Sequence, residues 1–241
     1  MKRFALAVSF LTVIPIRLKE TPQPGDLGKA AGWFPVIGAI LGGLVAAAYY
    51  GLSFLLPHLL AAALAVALWI GLTGGLHLDG LADCCDGMLH ASRRERRLEI
   101  MKDPRLGTFG AIGLVLTILL KVICLYSMPA SQAWVALPLA AGLGRYLLLP
   151  AGRQPLARPG GMGADFASGL NRTGLLWGAL VVALLTGLAG WRGLLVVLVG
   201  LAVSWGVLSL AKARLGGVTG DVLGLIVEFT ELVTLLGFCI R

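Results

Sequence analysis

From residue 31 to residue 56 the chain runs without a single Asp, Glu, Lys, Arg or His. A helix of that length measures about 39 Å, more than the roughly 30 Å hydrocarbon thickness of a bilayer. Further apolar runs occupy 59–76, 107–128, 133–150, 174–190, 193–211 and 222–240. Hydrophobic residues make up 58% of the chain and charged residues 13%, outside the range of ordinary soluble domains. The expectation is therefore an all-α, polytopic integral membrane helical bundle, forming a single domain over 1–241 with about seven transmembrane helices (six to eight). Residues 4–16 are apolar but short, and are either an eighth span or an interfacial segment. The 34 glycines fit close helix packing and also permit a homo-oligomer. The first apolar stretch ends at Pro15 and Arg17 with no small-residue cleavage site behind it, so no cleavable signal peptide is expected.

The connections alternate in charge. Arg17, Lys19 and Lys29 precede the first run; Arg93, Arg94, Arg96, Arg97, Lys102 and Arg105 follow the second; Arg153, Arg158 and Arg172 lie in 151–173; Lys212 and Arg214 lie in 212–221. The intervening turns at 57–58 and 129–132 have neither Lys nor Arg, and 191–192 has only Arg192. Basic loops mark the cytoplasmic side. Seven spans from residue 31 satisfy the pattern, cluster the long polar loops on the cytoplasmic face and leave the C-terminus outside. The net charge of +8 then reflects orientation, the lipid bilayer and phosphorylated substrates, and no nucleic-acid partner is expected. Cys84, Cys85, Cys124 and Cys239 form no CxxC pair and read as small buried hydrophobes, not a zinc site.

Four polar passages interrupt this apolar background. The first, Gly75 to Gly87, holds His77, Asp79, Asp83 and Asp86, although the whole chain has only 12 acidic residues. On a helix the aspartates fall at i, i+4 and i+7, on one face. Their mutual repulsion asks for a cation, and an all-oxygen set suits Mg²⁺, Mn²⁺ or Ca²⁺. His77 beside them is a candidate for catalysis or phosphate contact. The second, Lys102 to Gly110, carries Asp103 as a further metal candidate, with Gly107 and Gly110 placed to offer backbone N–H groups to a phosphate at a helix start. The third runs from Arg145 through Arg153, Arg158 and Gly160 to Gly163, ending at Asp165. Arg145 sits inside an apolar run, where a charge needs a partner or a task. Arg153 and Arg158 can grip phosphates, and the glycines can fold over a ligand. The fourth begins Gly216-Gly217-Val218-Thr219-Gly220-Asp221, a turn suited to phosphate approach. Asp221, Glu228 and Glu231 follow on one helical face, the two glutamates at membrane depth. Lys121 is a candidate ion-pair partner.

In this order the passages HLDGLADCCDG (77–87), DPRLGTFG (103–110), the GR…AR stretch and GGVTGDVLG (216–224) with its two glutamates resemble the cobalamin synthase family, as do FLTVIP (10–15) and GWFPVIGAILG (32–42). The likeness extends over most of the chain. Cys84-Cys85 and Leu225 stand where smaller or variable residues are expected, and neither removes a polar group. The resemblance implies adenosylcobinamide-GDP ribazoletransferase activity. A ribose hydroxyl of α-ribazole, or of its 5′-phosphate, attacks the corrinoid-side phosphorus of adenosylcobinamide-GDP, and GMP leaves. It implies Mg²⁺ as cofactor, with Mn²⁺ as the alternative, and an enzyme of the bacterial cytoplasmic (inner) membrane whose active site faces the cytoplasm.

Attack on a phosphoanhydride needs neutralised phosphates and a positioned hydroxyl. Asp79, Asp83 and Asp86 are expected to hold the metal, joined by Asp103, Asp221, Glu228 and Glu231. Asp86 or Glu228 is the expected base, with His77 the third catalytic candidate. Arg145, Arg153 and Arg158 are expected on phosphate, together with Gly107, Gly110, Gly216, Gly217, Thr219 and Gly220. Two other classes are weighed against this one. A CDP-alcohol phosphotransferase of phospholipid synthesis would carry Asp-Gly-x-x-Ala-Arg and a later aspartate repeat, and Asp79-Gly80-Leu81-Ala82-Asp83 breaks that pattern early. A membrane transporter would show an internal repeat and midplane sites, and no repeat is found.

Overall fold

The computed structural model describes residues 2–18 and 20–240. Lys19, counted above among the basic residues, lies outside them. The described residues form α1 (Lys2–Leu11), α2 (Asp26–Ala30), α3 (Phe34–Leu52), α4 (His58–Thr73), α5 (Leu76–Leu89), α6 (Arg94–Ile100), α7 (Thr108–Ser127), α8 (Ala133–Ala151), α9 (Gly161–Gly169), α10 (Arg172–Leu215) and α11 (Gly220–Phe238). Among them there is no strand beyond one isolated bridge, Leu156 to Val218.

Among the described residues, four helical stretches are long and apolar enough to cross a membrane: Asp26–Leu52, α7, Ala130–Ala151 and α10. A fifth is added if α4 and α5, which meet at 92°, form one broken span. The break has a local cause. Gly74 and Gly75 both take left-handed backbone angles (φ 62° and 68°), which two consecutive residues with side chains would adopt only at a steric cost. The run expected over 59–76 therefore ends as a helix at Thr73. Gly190 (φ 61°, ψ −142°) interrupts α10 in the same manner, where the sequence predicts a turn between two runs. Of the two readings of 4–16, the structure favours the interfacial segment: α1 has 10 residues, about 15 Å, half of what a crossing needs.

The centre of the bundle is α8 with α11, each buried along most of its length. Gly38 and Gly42 of α3 lie directly on the α8 backbone, where any Cβ would overlap the Ala141 and Leu137 carbonyls. Small residues here buy close approach, which is how helices gain contact without a water-driven term. The outer faces are the reverse. Along α7 and α10 large apolar side chains point away from the protein, with Val115 63%, Leu188 77% and Trp205 73% exposed. Apolar faces of this length would drive aggregation in water and are satisfied by lipid. The chain is a membrane protein.

Candidate active site

The chemistry-bearing residues meet where α5 crosses α11. A Cβ on Gly80 would lie 2.8 Å from the carbonyl oxygen of Asp221, and one on Gly224 would lie 3.1 Å from the carbonyl oxygen of His77. Both positions are glycine, so the two backbones touch. The contact carries Asp79 and Asp83 of α5 to Asp221 at the start of α11. Thr219 caps α11: its hydroxyl accepts from Val222 N–H at 3.3 Å and donates to Asp221 Oδ2 at 3.1 Å. That bond fixes the carboxylate at the mouth of the helix, where the dipole favours negative charge.

A cavity of about 260 Å³ opens at this crossing. His77 and Asp79 enter it from α5, Thr219 from the N-cap of α11, Gly220 and Asp221 from its first turn, Arg158 and Gly160 from the connection between α8 and α9, and Gly161 to Gly163 from the start of α9. That connection is held by its backbone: Ala157 N–H donates to Val218 O at 3.0 Å and Val218 N–H to Pro155 O at 2.9 Å. Arg94 Nη2 donates to Ala157 O at 2.7 Å and ties it to α6. Arg158 Nη2 stands 3.9 Å from Asp221 Oδ2, while Nη1 is enclosed with no hydrogen-bond partner. A buried guanidinium donor without an acceptor is costly, and an anionic ligand would satisfy it.

The structure brings His77, Asp79, Arg158, Thr219, Gly220 and Asp221 to one cavity, with Asp83 close enough to interact electrostatically with Asp79, Asp86 and Asp221. Other expected roles are corrected by geometry. Gly107 and Gly110 do not present free amides: they donate to Asp86 Oδ2 and Oδ1, at 2.8 and 2.9 Å. A Cβ at either glycine would overlap that carboxylate. Both Asp86 oxygens thus cap α7 from outside its own helix. Gly216 and Gly217 do not line the cavity either. The Arg94 guanidinium fills the space over Gly216, and the backbone of 155–157 lies over Gly217. Arg153 is exposed and is not among the residues that line the cavity.

Asp103 sits at the surface, bound by Arg105 through Nη2 at 2.6 Å. Those hydrogen bonds hold its carboxyl down at about 2, so its charge is already matched. Glu228, Glu231 and Arg145 belong to a separate buried quartet. Lys121 Nζ donates to Glu228 Oε2 at 2.7 Å and to Glu231 Oε2 at 2.5 Å, and Arg145 Nη1 pairs with Glu231 Oε1. Trp69 of α4 adds its ring face 4.6 Å from Lys121 Nζ. Two cations and two anions cancel, and four helices are tied at one point. The glutamates are placed as partners of Lys121 and Arg145 instead of at the cavity. Sequence reasoning missed Arg94, grouped with its neighbours as a topology signal; the paired glycines at 216 and 217 were the trace of its seat.

The acidic crossing fits a hard divalent cation by donor chemistry: Asp79, Asp83 and Asp221 offer only carboxylate oxygens. Among the described residues, no group of three or more His, Cys, Asp or Glu side chains is drawn together closely enough to hold a metal ion by itself. A cation here would complete its shell with water and substrate phosphate oxygens, the usual habit of Mg²⁺.

Comparison with known proteins identifies the family. The model of the cobalamin-5-phosphate synthase family matches residues 3–239. An adenosylcobinamide-GDP ribazoletransferase of Pseudomonas aeruginosa (strain UCBPP-PA14) is 41% identical, covering 100% of this chain and 98% of its own length. A protein of the same name from Pseudomonas syringae pv. syringae is 41% identical over 98% of each chain, and one from Pseudomonas putida (strain W619) is 38% identical over 100% of this chain and 99% of its own. No solved structure matches. The match runs the length of the chain and includes the α5 and α11 motifs that meet at the cavity, and on that ground the chain belongs to the cobalamin-5-phosphate synthase family.

Proposed function

We propose that this chain joins adenosylcobinamide-GDP to α-ribazole or its 5′-phosphate, releases GMP, and so closes the nucleotide loop of a cobalamin. The observation that carries the reading is the convergence of Asp79, Asp221 and Arg158 on one cavity in a chain 41% identical, end to end, to a protein named for that transfer. Arg158 has one guanidinium donor free of any partner and is the group that grips a phosphate of the donor substrate. A divalent cation, Mg²⁺ or Mn²⁺, held by Asp79, Asp83 and Asp221, would neutralise the diphosphate and the leaving GMP. His77 and Asp79 line the cavity and are the side chains within reach of the attacking hydroxyl. The bend at Gly74-Gly75 and the glycine crossing keep these groups fixed in a rigid frame, the condition for productive alignment.

The same reading orients the protein. Seven crossings, by α3, α4, α7, α8, the two halves of α10 and α11, return the chain to the cavity end at residues 74–107, 151–172 and 215–220. The basic connections lie at that end, which supports the reading of a site on the cytoplasmic side of the bacterial inner membrane. Reporter fusions after residues 57, 105, 130, 155, 190 and 217 test the topology.

The decisive assay is GMP release by purified protein in detergent, given adenosylcobinamide-GDP and α-ribazole with Mg²⁺ or with EDTA. Release that needs both substrates and the metal is the expected result. No release from folded protein would overturn the assignment.

A further inference from the structure

We infer that the apolar side of the cavity is a stacking subsite for the flat, fused-ring base of a nucleoside, whose phosphate end points to Arg158, Asp79 and Asp221. The inference rests on the phosphoryl-transfer reading and says which part of the substrates the cavity encloses. Three phenylalanines far apart in the chain line this wall: Phe10 of α1, Phe34 of α3 and Phe166 of α9. Their rings form a column. Phe10 and Phe34 stack with centroids 5.7 Å apart and 17° between planes, and Phe34 and Phe166 with 5.8 Å and 12°. Phe34 is the middle ring and fully buried, whereas Phe10 ends the column half-buried. Leucine would bury similar area, but only parallel rings give a planar π surface that a heteroaromatic base can extend.

The lining also includes polar side chains, His77, Asp79, Arg158 and Asp221. The cavity therefore offers both aromatic and charged lining, the two chemistries that the base and the phosphate of a nucleotide require. Its volume, about 260 Å³, lies just below the usual range of small-molecule pockets. A nucleoside is of that scale, and a corrinoid macrocycle is not, so the macrocycle stays outside. Phe166 is set in place by the seat of α9 on α2, where Gly25 N–H donates to Asp165 Oδ1 at 2.6 Å.

Two groups of the reaction share this chemistry: the guanine of the donor and the base of the α-ribazole acceptor. Titration calorimetry on the full-length protein in detergent with Mg²⁺ distinguishes them, using GDP and α-ribazole as separate probes. Phe10→Ala is expected to weaken one probe about tenfold, within the range of a lost base–aromatic stack, and to leave the other within twofold. Phe10→Trp restores the affected probe. Phe10→Leu, which keeps apolar volume without a ring, behaves as Phe10→Ala and serves if the alanine variant does not fold. Equal weakening of both probes, no weakening of either, or no binding of either probe to the wild type overturns the subsite. GMP release by the same wild-type preparation separates the two readings. Release without probe-selective loss sinks the subsite alone; probe-selective loss without release sinks the transferase reading alone.

Discussion

Gly80 and Asp221 are in backbone contact: a Cβ on the glycine would stand 2.8 Å from the carbonyl oxygen of the aspartate. The atom it meets belongs to the backbone, which cannot rotate aside. Gly80→Ala is expected to push α5 off α11, costing about 1–3 kcal/mol as overpacking. Turnover should fall more, since misplacing catalytic groups by about 1 Å costs roughly a hundredfold. GMP-release rates beside thermal unfolding in detergent check this, and an alanine variant with wild-type turnover would show that the crossing does not set the site.

Asp79, Asp83 and Asp221 are predicted to act together. Asn at any one of them should lower turnover by about a hundredfold or more and raise the Mg²⁺ concentration needed for half activity. Folding should be intact, because removing one of several clustered like charges relieves repulsion. A Mg²⁺ titration of each variant decides the matter, and an unchanged half-activity point removes that residue from the metal set.

Asp86 should behave as a structural cap. Both its oxygens accept from backbone amides of α7 at 2.8 and 2.9 Å, and hydrogen bonds to a charged group are worth about 1.5–3 kcal/mol each. Asp86→Ala should therefore lower stability by a few kcal/mol, with Asp86→Asn intermediate, and should leave the Mg²⁺ dependence of the surviving activity unchanged. A shifted metal dependence with full stability would return Asp86 to the metal set.

Lys121→Met would leave Glu228 buried without its cation. Breaking a buried pair costs about 3–5 kcal/mol, and the expected result is a large drop in unfolding midpoint. Lys121→Met with Glu228→Gln should recover part of the loss. A midpoint equal to wild type for the single variant would mean that the quartet contributes nothing to folding.

Asp103→Ala is the surface control. The depressed carboxyl makes its full contribution above the ordinary carboxylate value and loses it progressively as pH falls from there to about 2. Between pH 5 and 9 it does not titrate. The variant should keep activity within about twofold across that range, which a pH profile of GMP release measures.

The fold was legible because apolar runs separated by charged or glycine-rich stretches leave few arrangements. The α5 cluster was legible for the same reason: aspartates in helical register are rare in so apolar a chain. The roles of Glu228, Glu231 and Arg145 were not, because sequence marks a buried charge without naming its partner. Lys121, 107 positions before Glu228, was seen as a candidate partner but could not be assigned. Gly107 and Gly110 misled because a glycine pair before a helix looks alike whether the anion is a phosphate or the protein's own Asp86. The aromatic column left no trace, since Phe10, Phe34 and Phe166 share no spacing.

The buried quartet also sets an order of biogenesis. Ribosomes deliver Lys121 on α7 and Arg145 on α8 well before Glu228 and Glu231 on α11. Until α11 arrives, the nascent chain holds Lys121 and Arg145 without the glutamates that pair with them. Insertion of α11 is then the step that neutralises the interior, and it brings Asp221 against Gly80 in the same motion. Charge neutralisation of the interior and assembly of the active site thus become one event, and a chain truncated before residue 220 has neither.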